Sequence, residues 1–314
     1  MNLLEAMRYL AALEQHRHFG RAAQACHITQ PALSNAVRAL ELEFGVTIVR
    51  RGRQYEGLTL EGQKVLATAH RMLHDRETLR QELHALEVQP TGSLVVGAVP
   101  TAMPIAARFA AWMRERHPGV MPALRSLSSL EIESGIESLA LDLAFGYGER
   151  ATDRRTRIEV LPQYKEHYFL LRRRIGAAAT SRRVGTAVTW TEAADEPLCM
   201  LTPEMHNRTI IDAAFATAGV RPRPVIETNA VLPLVLAVLA GNVCSVMPGA
   251  LVAVALQYPE LEARPLVAPE VVTPIDLLLP KGGLLSLTQK AALRLAADAK
   301  WLAHAATHSG LLPG

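Results

Sequence analysis

Over the first fifty positions, apolar residues recur at helical spacing in three runs separated by short polar breaks. Leu3, Leu4, Met7, Leu10, Ala11 and Leu13 define an amphipathic helix that ends between His16 and Phe19. A short second helix is expected over 20–26, followed by a turn at His27 and Ile28. Thr29 is placed to cap a third helix, whose first turn tolerates Pro31 because the missing N–H has no helical partner there. Leu33, Val37, Leu40 and Phe44 fall on one face of that helix, and Gly45 stops it. The segment TIVRRGRQYEGLTLEG then reads as two short strands around a basic, glycine-containing turn. Three helices and a basic hairpin predict an all-α winged helix-turn-helix.

From near Leu60 a polar, charged pattern runs to about Glu87 without a breaker and stops before Pro90, Thr91 and Gly92. Val65, Met72, Leu79 and Leu86 repeat every seven residues, and Ala69 and Leu83 add a second stripe that Arg76 interrupts. So narrow an apolar stripe on so long a helix calls for a partner helix. Beyond Gly92 short apolar strands alternate with helices, the signature of an α/β domain with a parallel sheet and crossover helices. SLVVGAV, ALRSL and LALDLAFGYG belong to a first set, EHYFLLRR, RRVGTAV, EPLCML, PVIETN and NVCSVMP to a second, and IDLLLP with a helix over 287–305 closes the chain. The expected division is a winged helix over 1–60, a linker helix over 61–90 that pairs two chains, and a two-lobed domain over 91–305. Lobe I takes about 92–163 and 269–305, and lobe II about 164–268.

Composition changes this picture little. A chain of 314 residues is too long for one core, and 49% hydrophobic with 20% charged residues is a globular balance. The net charge of +3 argues little for nucleic acid, since seven Arg oppose five Glu over 1–60. Clustering argues more: Arg50, Arg51 and Arg53 sit together with only Glu56 near them. Cysteines at 26, 199 and 244 are too scattered for a disulfide framework or a zinc site, so no metal is expected and the compartment is read as reducing. The N-terminus has no basic region followed by an apolar run, so it does not read as a signal peptide. The stretch 230–256 carries no charge, but Pro233, Gly241, Asn242, Pro248 and Gly249 break it, so a buried helix and strand are expected rather than a membrane span. A cytoplasmic location follows. A Walker loop, a nucleophile elbow, an HExxH motif and a complete dinucleotide-binding glycine motif are all missing, which argues against an enzyme. A two-lobed solute-binding protein would explain 92–305 and leave the first sixty residues without a role.

Two constellations carry chemistry. The exposed face of the third helix would present Gln30, Ser34, Asn35 and Arg38, with Thr29 and Pro31 at its start. Gln, Asn and Arg hydrogen-bond base edges in pairs, and Arg50, Arg51 and Arg53 would lie over phosphate or in the minor groove. Taken singly, each of these residues is equally at home on the solvated face of a surface helix. In the α/β region, ligands sit off the carboxyl ends of strands, where helix N-termini offer N–H groups. That rule selects Pro100, Thr101 and Ala102 after the first strand and Ser126 to Ser129, Ser128 and Ser129 included, after the second. It also selects Phe145 and Gly146, running to Tyr147, at the end of the third. Thr202, His206, Asn207 and Arg208 follow LCML, and Thr228 and Asn229 follow PVIE.

The stretch HFGRAAQACHITQPALSNAVRALELEFGVTIVRRGRQYEGLTLEG resembles the DNA-binding signature of LysR-type regulators. The likeness rests on Ala22 and Ala23, the QPALS of 30–34, Leu40 and Glu41, Gly45, and the LTxxG of 58–62. Ile48 and Val49 depart from the family's usual Leu-Phe, both choices being apolar. The resemblance implies a homodimer through the linker helices, assembled into a homotetramer, on double-stranded promoter DNA with a T-N11-A core. It also implies a small-molecule effector between the lobes, most often a small carboxylate, as co-inducer and no other cofactor. HFGRAAQACHITQ and GAVPTA are similar to regulators found beside formate dehydrogenase genes, which points to formate. Within the family the rival reading is a redox sensor, but peroxide-sensing relatives carry a reactive cysteine where this chain has His206.

Overall fold

The computed structural model describes residues 2–51, 55–83, 89–151, 157–174, 184–282 and 284–309. Arg53 and Leu86 therefore lie outside the described residues. The chain falls into two compact units, Met1–Gln89 with two short later segments, and a larger one holding Pro90–Ile136, Leu141–Lys281 and Thr288–Gly314.

The smaller unit comprises α1 (Leu3–His16), α2 (Phe19–Ala25), α3 (Gln30–Phe44), β1 (Val49–Arg51), β2 (Tyr55–Leu58) and α4 (Leu60–Leu83). Arg17 turns left-handed to end α1, and His27 does so between α2 and α3. The helical stripes meet in one core of Met7, Leu10, Leu13, Ala22, Ala23, Leu33, Val37 and Leu40, closed by Ile48, Val49 and Leu58 from the hairpin. Phe44 is 42% exposed rather than buried. Every residue from Leu42 to Gly45 is exposed, so the last turn of α3 runs past the core that Leu40 closes. The Glu41 carboxylate accepts from the backbone N–H groups of Ile48 (2.9 Å) and Val49 (3.3 Å), which ties the hairpin to α3. Thr59 caps α4: its Oγ1 accepts from Gly62 N at 2.9 Å and donates to the Thr47 carbonyl at 2.6 Å. A Cβ on Gly62 would lie 2.1 Å from the Ile48 carbonyl oxygen, so the close approach of α4 to the hairpin requires glycine there. Farther along α4, Leu79 and Leu83 are 55% and 71% exposed.

The larger unit begins with β3 (Gly92–Ala98), α5 (Met103–Arg116), β4 (Val120–Ser126), α6 (Ser129–Glu137), β5 (Leu143–Gly146) and the long β6 (Ile158–Arg173). It continues with β7 (Val188–Thr189), α7 (Trp190–Ala194), β8 (Cys199–Leu201), α8 (His206–Thr217), β9 (Ile226–Thr228), α9 (Val231–Ala240), β10 (Ser245–Pro248) and α10 (Gly249–Ala255). It closes with β11 (Leu261–Val267), β12 (Val272–Pro280), α11 (Leu287–Ala296) and α12 (Ala299–Thr307). The main sheet runs β4-β3-β5-β12-β6-β11-β7, with β10 also on β6 and β8-β9 as a separate pair.

This sheet is mixed rather than parallel. β3 is parallel to β4 and β5, whereas β12 is antiparallel to both β5 and β6. The reason is connectivity: the chain leaves lobe I along β6 and returns along β12, so the two crossing strands run side by side in opposite directions. The first part of β6 pairs with β12, and from Tyr168 and Phe169 onward it pairs with β10 and β11. Lobe I packs around Leu94, Val96, Phe109, Phe145, Ile275 and Trp301. Lobe II has two cores, one around Phe169, Leu171, Cys199 and Met247, the other around Leu170, Trp190, Phe215 and Cys244. The uncharged stretch 230–256 forms α9, β10 and α10. Among the described residues no helix is long and apolar enough to cross a membrane.

Candidate functional site

In the smaller unit, Thr29 Oγ1 accepts from Ala32 N and starts α3. Leu33, Val37 and Leu40 are buried on one side of α3, while Gln30, Pro31, Asn35 and Arg38 are exposed and Ser34 is half-buried. The turn before α3 is short because Cys26 caps α2 and Ile28 N bonds back to Ala23 O. Arg50 is exposed on β1, and Arg51 ends that strand. Arg53, expected at the hairpin tip, is outside the described residues. This helix face offers paired donors and acceptors to an edge of matching pattern, beside a basic strand.

In the larger unit, a narrow cavity of about 10 Å³, room for about one water, is lined by Val99, Pro100, Thr101, Ser128, Ser129, Tyr147, Leu201, Met205, His206 and Asn207. It joins both lobes. Thr101 is 1% exposed and its hydroxyl sits 3.2 Å from the Tyr147 hydroxyl. Asn207 Nδ2 donates to the Tyr168 hydroxyl at 3.1 Å, and that hydroxyl also meets Thr273 Oγ1 at 3.2 Å. Burial, with a smaller push from Glu166, holds the Tyr147 hydroxyl well above the usual tyrosine range, so it stays protonated. The buried Ser129 Oγ has no hydrogen-bond partner among the described residues, leaving one polar group at the cavity to be satisfied by something else.

At the rim, the His206 ring stands edge-on to Tyr147 with centroids 4.6 Å apart, and its Nε2 lies 3.2 Å from Glu149 Oε1. This contact spans the lobes, from the turn after β5 to the start of α8. The turn is fixed by Asp276, whose Oδ2 accepts from Gly148 N at 3.1 Å, and a Cβ on Gly148 would come within 2.2 Å of that oxygen.

Six of the expected ligand residues thus meet: Pro100, Thr101, Ser128, Ser129, His206 and Asn207. Five do not. Ala102 and Phe145 are fully buried in the lobe I core, Phe145 against Phe109 and Trp301. Gly146 pairs with Asp276 inside the sheet. The Thr202 hydroxyl turns to Glu204, and Asn229 is exposed away from the cavity lining. Nor are all the helix N-terminal amides free for an anion: Ala102 N donates to Val99 O and Ser128 N to Glu131. Arg208 is likewise taken, by Leu201 O, Glu227 and Asp212. Tyr147, the last residue the strand-end rule selected after β5, lines the cavity and meets Thr101 and His206.

Two family profiles match the chain. One is the bacterial regulatory helix-turn-helix protein of the lysR family, over residues 4–63, and the other the LysR substrate binding domain, over 87–301. The second alone covers more than half of the chain. The chain belongs to the LysR family. Among its relatives, an SDS degradation transcriptional activation protein of Pseudomonas sp. is 37% identical over 45% of each chain. The DNA-binding transcriptional dual regulator OxyR of Escherichia coli is 36% identical over 33% of this chain and 34% of its own. These matches span less than half of those relatives' length. The HTH-type transcriptional regulator SsuR of Burkholderia cenocepacia is 30% identical over 71% of both chains. Among solved structures, a full-length OxyR variant from Pseudomonas aeruginosa superposes with a TM-score of 0.69 at 22% identity, covering 100% of this chain and 99% of its own. Full-length CbnR in complex with target DNA gives 0.63 at 20% identity, over 94% and 99%. At these identities the structures establish that this LysR-family chain shares their fold.

Proposed function

We propose that this chain is a DNA-binding transcription regulator whose larger unit binds a small anionic effector. The observation that carries the first half is the division of α3 into a buried side of Leu33, Val37 and Leu40 and an exposed side of Gln30, Asn35 and Arg38. On promoter DNA, Gln30, Asn35 and Arg38 read base edges in the major groove, with Thr29, Pro31 and Ser34 close to the backbone. Arg50, Arg51 and Arg53 supply charge against phosphate. The domains divide the work as 1–60 for reading, 61–90 for pairing two chains, and 91–305 for sensing. The exposed Leu79 and Leu83 on α4 support a homodimer through that helix, which we read as the building block of a homotetramer.

At about 10 Å³ the cleft is far smaller than the usual ligand pocket of about 300–1,000 Å³ and is closed down around its lining. Its lining holds the hydroxyls of Thr101, Ser129 and Tyr147, the Asn207 amide and the His206 ring, with the Ser128 hydroxyl engaged by Glu131 and no Lys or Arg present. Such a set suits a compact anion, and a small carboxylate such as formate is the first candidate. Several relatives are named hydrogen peroxide-inducible genes activators, but a thiol-based redox sensor finds little support in this chain's own cysteines. All three are buried. Burial raises each thiol, that of Cys244 to about 12, so little reactive thiolate forms. Cys199 and Cys244 are backbone neighbours but pack into different cores of lobe II, so their sulfurs do not face each other.

The test is a mobility shift with promoter fragments at moderate salt, combined with a thermal-shift panel of small carboxylates on the full chain. Sequence-selective binding that a carboxylate alters is the expected result. Equal affinity for promoter and unrelated DNA defeats the first half, and a panel with no hit defeats the second.

A further inference from the structure

Tyr164, Glu166 and Tyr168 occupy alternate positions of β6 and so share one face of the strand. All three are buried, whereas Lys165 is exposed and His167 half-buried. Glu166 pairs in register with Thr273, close to where β6 leaves β12 and begins to pair with β10 and β11. It therefore sits inside the protein at the passage between the lobes. Its side chain is 0% exposed. Oε1 accepts from the Tyr164 hydroxyl at 3.3 Å, and Oε2 has no partner among the described residues.

The groups around it supply no counter-charge. Tyr147, Tyr164 and Tyr168 all feel its charge, since Glu166 makes each hydroxyl harder to ionise. β12 contributes Thr273, held by Tyr168, and Asp276, engaged by Gly148 N. The turn after β5 contributes Glu149, held by His206 at the start of α8, where Asn207 follows. α9 and α10 carry no titratable side chain, and His167, on the other face of β6, reaches Glu270. A carboxylate with a bare oxygen in such surroundings is strongly disfavoured. Burial accordingly pushes the Glu166 carboxyl up to about 8, so it is protonated at neutral pH.

We propose that Glu166 is a specificity-determining residue of the cleft: its carboxyl, on the buried strand face with the Tyr168 hydroxyl to which Asn207 donates, stays neutral, and an anionic effector binds only while Glu166 holds its proton. This inference rests on the anion reading of the cleft. An ionised Glu166 would repel an anion lodged against Thr101 and Tyr147 across a water-poor wall, where charges interact most strongly. The cleft is then selective for anions below the pH at which Glu166 ionises, and an uncharged analogue is indifferent to it.

The test is calorimetric titration of the full chain with formate and acetate, and with formamide and acetamide as uncharged counterparts, from about pH 6.5 to 9.5 at fixed ionic strength. The wild type and E166Q are compared. Wild-type anion affinity should stay level near neutrality and fall about 10-fold per pH unit above about 8, while E166Q shows no such fall. Anion binding that stays level to pH 9.5, or an E166Q slope as steep as the wild type's, overturns the role of Glu166 and leaves the anion reading intact. Absence of binding by either anion at every pH overturns the anion reading and this inference with it. Melting curves without ligand provide a second readout. A Glu166 whose folded carboxyl lies above its ordinary 4.5 stabilises the fold least at high pH, so the wild type should lose melting temperature relative to E166Q as pH rises from about 5 to 8. A gap that does not change with pH overturns the proposal.

Discussion

The two candidate functional surfaces are built in opposite ways. The α3 face and β1 draw their residues from one short stretch, 29–51, and the exposed side chains share their elements with the buried Leu33, Val37, Leu40 and Val49 that anchor them. The cleft draws from four separate stretches, at 99–101, 128–129, 147 and 201–207, which only the crossing strands β6 and β12 bring together. Its polar groups largely satisfy one another through Thr101, Tyr147, Asn207, Tyr168 and Thr273. A local surface is fixed by helix period and caps. A convergent one is fixed by sheet order, and its chemistry lies in the few groups left unsatisfied, Ser129 Oγ and Glu166 Oε2.

The sharpest way to break this contrast is the double substitution Gln30→Ala with Asn35→Ala. Each bidentate base contact is worth about 1–3 kcal/mol of discrimination, so the pair should cost roughly 100-fold or more in affinity for the cognate promoter. Affinity for unrelated DNA should hold, because phosphate contacts carry no sequence information. A competition mobility shift measures both, and equal losses on the two DNAs would mean that α3 does not read bases.

Next in size is Gly62→Ala, which tests whether the local surface depends on its support. The new methyl would meet the Ile48 carbonyl oxygen, and overpacking of this kind costs about 1–3 kcal/mol. Urea unfolding of the full chain should show the loss in the transition that reports the smaller unit, with weaker DNA binding at raised temperature. An unchanged transition would show that α4 and the hairpin can separate without cost.

The difference in construction also explains what the sequence made legible. The cap at Thr29, the stripe of Leu33, Val37 and Leu40, and the stop at Gly45 are spaced by the helix itself, so the exposed face of α3 could be drawn from the sequence. Phe44 failed because periodicity assigns a direction and not the length of the core that fills it. In the cleft, the rule of strand carboxyl ends found Thr101, Ser129 and Asn207. It overreached at Ala102, Phe145 and Gly146, whose neighbours in the lobe I core are distant in sequence. The parallel-sheet expectation failed for a related reason, since no local pattern announces that β6 and β12 cross between lobes in opposite senses. The alternation of Tyr164, Glu166 and Tyr168 was visible, but a buried carboxyl in a strand acquires meaning only when its lack of a partner is seen.

Thr101→Val probes the convergent surface. The substitution keeps the shape and removes the hydroxyl that meets Tyr147, a loss of about 1 kcal/mol, and it should weaken effector binding while promoter affinity without effector stays within about twofold. Footprinting with and without a responsive carboxylate would check it. A variant that responds fully would move the ligand away from Thr101 and toward Ser128 and Ser129.

The smallest effect is expected at the rim. Glu149 and His206 join the lobes through a single contact whose acidic partner is 58% exposed, and exposed ion pairs contribute about 0–1 kcal/mol. Glu149→Gln should therefore change the melting temperature little and shift carboxylate affinity by less than about threefold, because the amide oxygen can still face His206. If instead affinity changed by an order of magnitude, the contact would belong to the ligand site itself. The anion would then compete with Glu149 for His206, and the division between a self-satisfied cavity wall and a passive rim would have to be redrawn around that imidazole.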